Sequence, residues 1–458
     1  MAGIFKAYDI RGIVGEALNP QRAYLIGRGL AQEVFAGQSP IVVSRDMRTH
    51  APEIAGELMR GLNEGGSDVI DIGLAATPMN YWANNFYGAQ GSVQVTASHN
   101  GPEYNGFKVS GQGATPLDYS TGLDKVEAFV LGAESGGEAL APSAQIGTIQ
   151  HIDDALLRYL DWMDTFVTKE HTDRRLKIGI DAANGMGGFF LSDFFARHPW
   201  LELVPLFFEL DGTFPNHEAD PLKEENLRDT QQLVRDHTCD FGVAYDGDAD
   251  RCMFVDENGD NISSDLITAL IGAAMLEGNP GSPILYDLRS SHAVPESIAA
   301  KGGVAVRGRV GHSFMKRLLK QNNAPFGGEL SGHYYFRDCF NTDSGLMAMI
   351  QVINIWEKAN SSTRTTLSQL IQPLRTYAAT GEINFHVGDV KETLQKVETH
   401  YAAQGAQLDH LDGLTVELDG WWFNLRSSNT EPLLRLNLEA KTAEERDRHR
   451  AEVEALFA

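Results

Sequence analysis

Two rhythms of hydrophobic positions alternate along this chain. Short apolar runs of strand length, Ile41-Val42-Val43, Val69 to Ile72, Leu176 to Ile180, Phe241 to Tyr245 and Ile284 to Tyr286, are separated by stretches with apolar residues three and four apart. Leu25, Ile26, Leu30, Val34 and Phe35 follow Asn19-Pro20, a cap and a first-turn proline, and predict a helix there. Further helices are predicted over 53–63, 153–167 and 264–276. Strands alternating with helices imply βαβ units around parallel or mixed sheets, an α/β fold whose ligands gather at the carboxyl ends of the strands. Residues 132–147 carry Gly, Ala, Ser and Glu without a period and read as a boundary, and a hairpin over 255–260 reads as the start of a third unit. Beyond Pro373 the pattern changes to strands over 382–386, 415–418, 421–423 and 433–438 with helices over 390–401 and from Ala443. The expected division is three similar mixed-sheet α/β units, 1–150, 151–254 and 255–368, and a smaller C-terminal α+β unit, 369–458.

Composition narrows the function. Its 458 residues suit several domains, and no stretch approaches the roughly 20 uncharged apolar residues of a membrane span. Met1 to Lys6 lacks the plan of a signal peptide, so a cytoplasmic protein is expected. Three cysteines, Cys239, Cys252 and Cys339, are widely spaced and support neither a disulfide framework nor a zinc site; buried thiols are expected. The formal charge of −24 disfavours nucleic acid and anionic membrane as partners. An anionic substrate would need a local cluster of Arg, Lys and His.

Several short stretches carry candidate chemistry. Thr96-Ala97-Ser98-His99-Asn100-Gly101-Pro102 follows a strand-like run, so Ser98 sits at a strand-to-loop corner with His99 beside it and Lys108 returning after a turn pair. The stretch fits a polar surface turn as well as an activated nucleophile. Near the start, Tyr8 and Arg11 lie together beside Gly12. Asp246, Asp248 and Asp250 alternate beyond a hydrophobic strand, repel one another without a cation, and suit a hard divalent ion such as magnesium. The turn Asn184 to Gly188 lacks the Gly-x-Gly-x-x-Gly pattern and reads as tight strand-to-helix packing, not a dinucleotide site. Gly311-His312-Ser313 and Gly328-Glu329-Leu330-Ser331-Gly332-His333 put polar groups suited to sugar hydroxyls between glycine corners. Arg426-Ser427-Ser428-Asn429-Thr430 offers a guanidinium, hydroxyls and an amide in one turn, a cradle for phosphate.

Together these loops resemble the α-D-phosphohexomutase family and its phosphomannomutase/phosphoglucomutase branch. The likeness covers essentially the whole chain: FKAYDIRG (5–12), TASHN (96–100), DGDADR (246–251), GELSGH (328–333) and RSSNTEP (426–432), in that order. It implies four domains around a central cleft. It also implies reversible conversion of mannose 6-phosphate and mannose 1-phosphate, with glucose phosphates as further substrates, through a phosphoserine and a hexose bisphosphate. Ser98 would be the phosphoserine, and Asp246, Asp248 and Asp250 would hold magnesium with its phosphoryl oxygen. Arg11, Lys108, Arg251 and His312 would surround the phosphoryl, with Lys108 and His312 as candidates for proton transfer. Glu329, Ser331 and His333 would meet sugar hydroxyls, Arg426, Ser428, Asn429 and Thr430 the idle phosphate, and Tyr8 would line the cleft. Two departures stand out. Gly101 intervenes before Pro102, which implies a more mobile loop, and Arg289 stands where many members carry lysine, offering a planar fork to sugar or phosphate. Phosphoglucosamine mutase and an aspartyl-phosphate phosphatase using Asp246 are the competing activities. The oligomeric state is left open.

Overall fold

Asn19 accepts a hydrogen bond from the Arg22 N–H at 2.9 Å, and Pro20 opens the helix Pro20–Gly29, so the cap forms where the sequence places it. The computed structural model describes residues 3–136, 141–168, 174–361, 363–427 and 433–457, and within them the backbone forms four sheets.

The first sheet has seven strands. Ile41–Arg45 lies between Val69–Leu74 and Gly91–Val95, all parallel, with the helices Ala51–Glu64 and Thr77–Phe86 as crossovers. Ile41 to Ser44 and the whole of Gly91–Val95 are buried; the first reads as an apolar run, while in the second Val93 and Val95 alternate with Ser92 and Gln94, which are hydrogen-bonded to Asn84 and Ser44. Tyr104–Gly111 then returns antiparallel beside Gly91–Val95, pairing Lys108 with Gln94. The described parts of the stretch 132–147 stay with this unit: the helix Leu123–Gly136 takes in the first, and in the second the Gly147 N–H reaches the Asn63 carbonyl at 3.0 Å.

The second sheet runs, in spatial order, Asn261–Ile262, Cys252–Asp256, Phe241–Tyr245, Leu176–Asp181 and Leu201–Leu206. The hairpin over 255–260 therefore closes this sheet and does not open the third. Cys252–Asp256 pairs along its length with Phe241–Tyr245, and Val255 packs with Val234 and Cys239 of the second unit. The third sheet orders Val304–Gly308, Pro283–Asp287, Phe326–Gly328, Tyr334–Phe336 and Thr342–Asp343. The fourth, Ala378–His386, Leu433–Ala440, Trp421–Ser427, Leu414–Leu418 and Gln407–Asp409, is antiparallel throughout.

One hydrophobic core runs from Trp82 and Met79 through Ile178, Phe194 and Phe254 to Phe326, Ile350 and Trp356, so the first three units are joined by shared apolar packing. The fourth unit buries a cluster of its own, Val397, Tyr401, Phe423, Leu425, Leu436 and Val453. It meets the third unit through polar groups: Glu439 accepts from the His292 N–H and the Trp422 indole, both at 3.0 Å, and Arg307 pairs with Asp409 and Glu417. The three cysteines are buried and free. Among the described residues no helix is long and apolar enough to cross a membrane.

Candidate active site

Ser98 lies three residues past Gly91–Val95 with φ +49°, a left-handed conformation uncommon outside glycine, in a loop held by the segment after Ile41–Arg45. One guanidinium gathers that loop. Arg48 donates to the carbonyls of Ser98 at 2.9 Å, Asn100 at 2.6 Å, Gly101 at 2.6 Å and Tyr104 at 3.0 Å. Asp46 stands behind it, 3.3 Å from Arg48 Nε, and accepts from the Thr96 hydroxyl at 2.7 Å. The loop with the extra Gly101 is thus tied at four carbonyls, contrary to the mobility its sequence implies. Arg48 lies outside the recognised motifs; its signal is only its place just past the end of a parallel strand.

The Ser98 hydroxyl donates to Asp246 Oδ2 at 3.0 Å and lies 3.2 Å from His99 Nδ1. Gly247 permits this approach, because a Cβ there would stand 2.4 Å from the Ser98 carbonyl oxygen. Asp246, Asp248 and Asp250 are buried and offer oxygens within 4.8 Å of one another. Lys108 reaches across from its strand to Asp248 at 2.6 Å and to Asp250, Thr77 donates to Asp248 at 2.5 Å, and Arg251 Nε donates to Asp246 at 2.9 Å. Burial and the neighbouring Asp250 push the Asp246 carboxyl up to about 8. Burial acts on Asp248 in the same sense, yet the Lys108 ammonium outweighs it and holds that carboxyl low. Burial works against the Lys108 cation, and Asp248 with Asp250 overrides it, so the ammonium sits well above its ordinary range. One oxygen each of Asp248 and Asp250 is buried without a hydrogen-bond donor. Three convergent hard-oxygen groups with orphaned acceptors fit a divalent cation.

The second and third units meet at this loop. Arg251 and His333 form an antiparallel backbone bridge, and the Cys252 N–H donates to the Gly332 carbonyl at 3.1 Å. His333 Nδ1 consequently lies 2.9 Å from Asp343 and 3.8 Å from Asp250, while Lys316 holds the other Asp343 oxygen at 2.7 Å. Burial opposes a charge on His333, but Asp250 and Asp343 raise its pKa; His312 lies well below the ordinary value because of burial and Lys316. His312 opens the helix His312–Asn322 behind Gly311, whose φ is +126°, and its ring faces His333 at 6.1 Å and Tyr8 at 6.0 Å. Gly332 is likewise a corner, with φ +83°. Arg11 grips Asp9 and Asn100, which brings it against the Ser98 loop.

Glu329 is buried, accepting from the Gly311 N–H at 2.8 Å and from the Tyr335 hydroxyl; Ser331 is half-buried on the same turn. Arg289 forks onto Asp287, with NH2 at 2.7 Å and Nε at 3.3 Å, and Asp287 also accepts from the Leu330 N–H at 2.8 Å. Arg426 belongs to the strand Trp421–Ser427, and Ser428, Asn429 and Thr430 lie outside the described residues. Tyr8 bridges the two ends of the site. Burial raises its phenol, which also feels Asp412, Arg309, Glu329 and Arg426. Two groups therefore form: Ser98, Lys108, Arg11, Arg251, the aspartates and His333 on one side, Arg289 and Arg426 on the other, with Tyr8, His312 and Glu329 between. Besides Arg48, motif reasoning missed Asp343, Lys316 and Glu382, which joins Arg426 at 2.9 Å to Arg289 at 3.6 Å.

The chain matches the phosphoglucomutase/phosphomannomutase α/β/α domain I over residues 2–135, domain II over 158–259, domain III over 263–377 and the C-terminal domain over 382–456. It is 38% identical over 437 residues to the phosphohexose mutases of Xanthomonas campestris pv. campestris, and 36% identical over 441 residues to a phosphomannomutase of Escherichia coli, with 95% of each chain covered in both cases. The crystal structure of a phosphoglucomutase/phosphomannomutase family protein from Burkholderia thailandensis superposes with a TM-score of 0.88 at 31% identity, covering 99% of this chain and 96% of that one. Four domain matches in order, the full-length relatives and the shared fold agree with the serine–aspartate geometry: this chain belongs to the phosphoglucomutase/phosphomannomutase family and is a phosphohexomutase.

Proposed function

We propose that the protein is a phosphomannomutase that interconverts mannose 6-phosphate and mannose 1-phosphate, and that it accepts glucose phosphates as well. The observation that carries this reading is the 3.0 Å hydrogen bond from the Ser98 hydroxyl to Asp246, inside a buried set of three aspartates. The names of the relatives, phosphomannomutase and phosphohexose mutases, point the same way.

Direct transfer between the sixth and first oxygens of one hexose lacks an in-line path. Phosphorylated Ser98 donates instead to the free sugar oxygen: the phosphorus–Oγ bond breaks, a phosphorus–sugar oxygen bond forms, the sugar hydroxyl loses its proton and the leaving Ser98 Oγ takes one up. The hexose bisphosphate turns end for end, and Ser98 takes back the other phosphoryl group. Asp246, Asp248 and Asp250 with a Ser98 phosphoryl oxygen would hold magnesium, which neutralises charge on the transferring group when bound. Arg11, Lys108 and Arg251 supply the protein's own positive charge beside Ser98. His312, kept neutral by burial and Lys316, is suited to receive the hydroxyl proton. Glu329 and Ser331 orient the sugar, Arg289 and Arg426 hold the idle phosphate, and the fourth unit hinges near residue 370 to keep water out.

Mass spectrometry of Ser98→Ala after incubation with hexose bisphosphate tests the reading. The native chain is expected to carry one phosphoryl group at Ser98, the variant none and to be inactive. Turnover by the variant would sink the proposal in favour of an aspartyl-phosphate route through Asp246. Competition among mannose, glucose and glucosamine phosphates fixes the sugar.

A further inference from the structure

Glu382 stands on Ala378–His386 where its pairing with Leu433–Ala440 shifts register. Three guanidiniums ring its carboxylate. Oε2 accepts from Arg426 NH2 at 2.9 Å and lies 3.6 Å from Arg289 NH1, while Oε1 accepts from Arg435 NH1 at 3.2 Å. Arg289 belongs to the third unit and the other two to the fourth, so this carboxylate spans the seam. Asp412 adds a weaker contact, 3.7 Å from Arg426 NH1. Burial works against the Glu382 charge, but Arg289, Arg426 and Arg435 override it and hold the carboxyl below its ordinary range.

Convergent guanidiniums are the preferred partners of a phosphate dianion, and a carboxylate reproduces one edge of it. Glu382 differs from a structural ion-pair partner in two respects. Its side chain keeps 24% exposure, so the carboxylate has a path into water, while Arg289 and Arg426, which are nearly buried, need an anion in its place and find it in the arriving phosphate. It also engages Arg426, which opens the phosphate turn, together with Arg289, so a phosphate entering between them meets the carboxylate head on. We propose that Glu382 is an internal stand-in for the hexose phosphate: it fills the anion position between Arg289, Arg426 and Arg435 until the substrate's phosphate displaces it. The inference rests on the phosphohexomutase reading of Arg426 and adds a role for the displacement. Each phosphate binds against a competitor, which weakens the grip and helps the bisphosphate leave this end and turn.

The competing role, a template that aligns the guanidiniums for phosphate, predicts the opposite sign. Calorimetry with inorganic phosphate on the full-length protein separates them. Glu382→Gln is expected to bind phosphate about tenfold more tightly and to lower KM for mannose 6-phosphate by a similar factor. Glu417→Gln removes a carboxylate of the same unit that pairs with Arg307 and His292, and is expected to change phosphate affinity less than about twofold. Unchanged or weaker phosphate binding by Glu382→Gln overturns the inference, and so does equal tightening by Glu417→Gln, which would mean a general field effect. If Glu382→Gln does not fold, Glu382→Asp keeps the charge and withdraws it by one methylene; tighter binding than wild type supports the stand-in, equal or weaker binding overturns it. Phosphate binding is read without turnover, so absence of hexose phosphate conversion by the wild type would sink the mutase reading alone.

Discussion

The two ends of this site are built on different principles. Around Ser98 the aspartates, Lys108, Arg48 and Arg251 are buried and tied to several other groups: one guanidinium holds four carbonyls, three carboxylates share Lys108 and Arg251, and the units behind them share one apolar core. Around Arg426 the partners are carboxylates within reach of water, and the unit carrying it has a separate core and meets its neighbour through ion pairs. Phosphoryl transfer rewards fixed positions, whereas an intermediate that must turn needs a grip that lets go. Each end should therefore control its own kinetic parameter: kcat at the serine, KM at the arginine.

The severest challenge to that contrast is Ser98→Ala, expected to lower kcat by at least about 10⁴-fold while phosphate still binds at the Arg426 end. A steady-state assay with calorimetry on the same sample checks both halves. Next comes Arg48→Lys. An ammonium offers three donors from one point and cannot span four carbonyls, so the Ser98 loop should drift and kcat should fall about 100-fold, with KM within about threefold. A lowered melting transition with unchanged kcat in this variant would make Arg48 a matter of folding alone. Arg426→Gln should do the reverse: KM for hexose phosphate rising about 10- to 100-fold and kcat changing less than about fivefold. A fall confined to kcat would erase the contrast between the ends.

What was legible in the sequence follows the same division. Asp246, Asp248 and Asp250 could be read because the whole set sits within five residues after an apolar strand, and Ser98 because its loop is a contiguous motif. Arg48 and Glu382 could not, since each meets its partner far along the chain, 50 residues away at Ser98 and 44 at Arg426. Local pattern carries no sign of such pairs. The hairpin over 255–260 shows a second limit. Its alternation and turn were plain, but only the register against Phe241–Tyr245 decides which sheet it completes. The strand Ile41–Arg45 was easier, because burial on both faces leaves an apolar run that no surface turn imitates.

A subtler effect probes the same contrast from the other side, at the seam that the Arg426 end depends on. His292 lies 3.2 Å from Glu417 and its ring stacks on Trp422 at 5.5 Å. Burial would lower its pKa, but Glu417, with Glu439 and Glu296, raises it above the ordinary 6.5. A histidine raised in the folded state contributes stability that is complete below its unfolded value and is lost as pH climbs through the folded one. The contribution is well under about 1 kcal/mol once solvent screening of this partly exposed pair is allowed for. It is still visible, because a protonated imidazole stacked on an indole quenches it. His449 also stacks on an indole, Trp421, at 3.9 Å, so the measurement is made with His449→Gln as background; there tryptophan emission should rise with a midpoint above 6.5, and the step should vanish on adding His292→Gln and shift down in high salt. An identical titration in the doubly substituted protein, His292→Gln with His449→Gln, would remove the seam from the account.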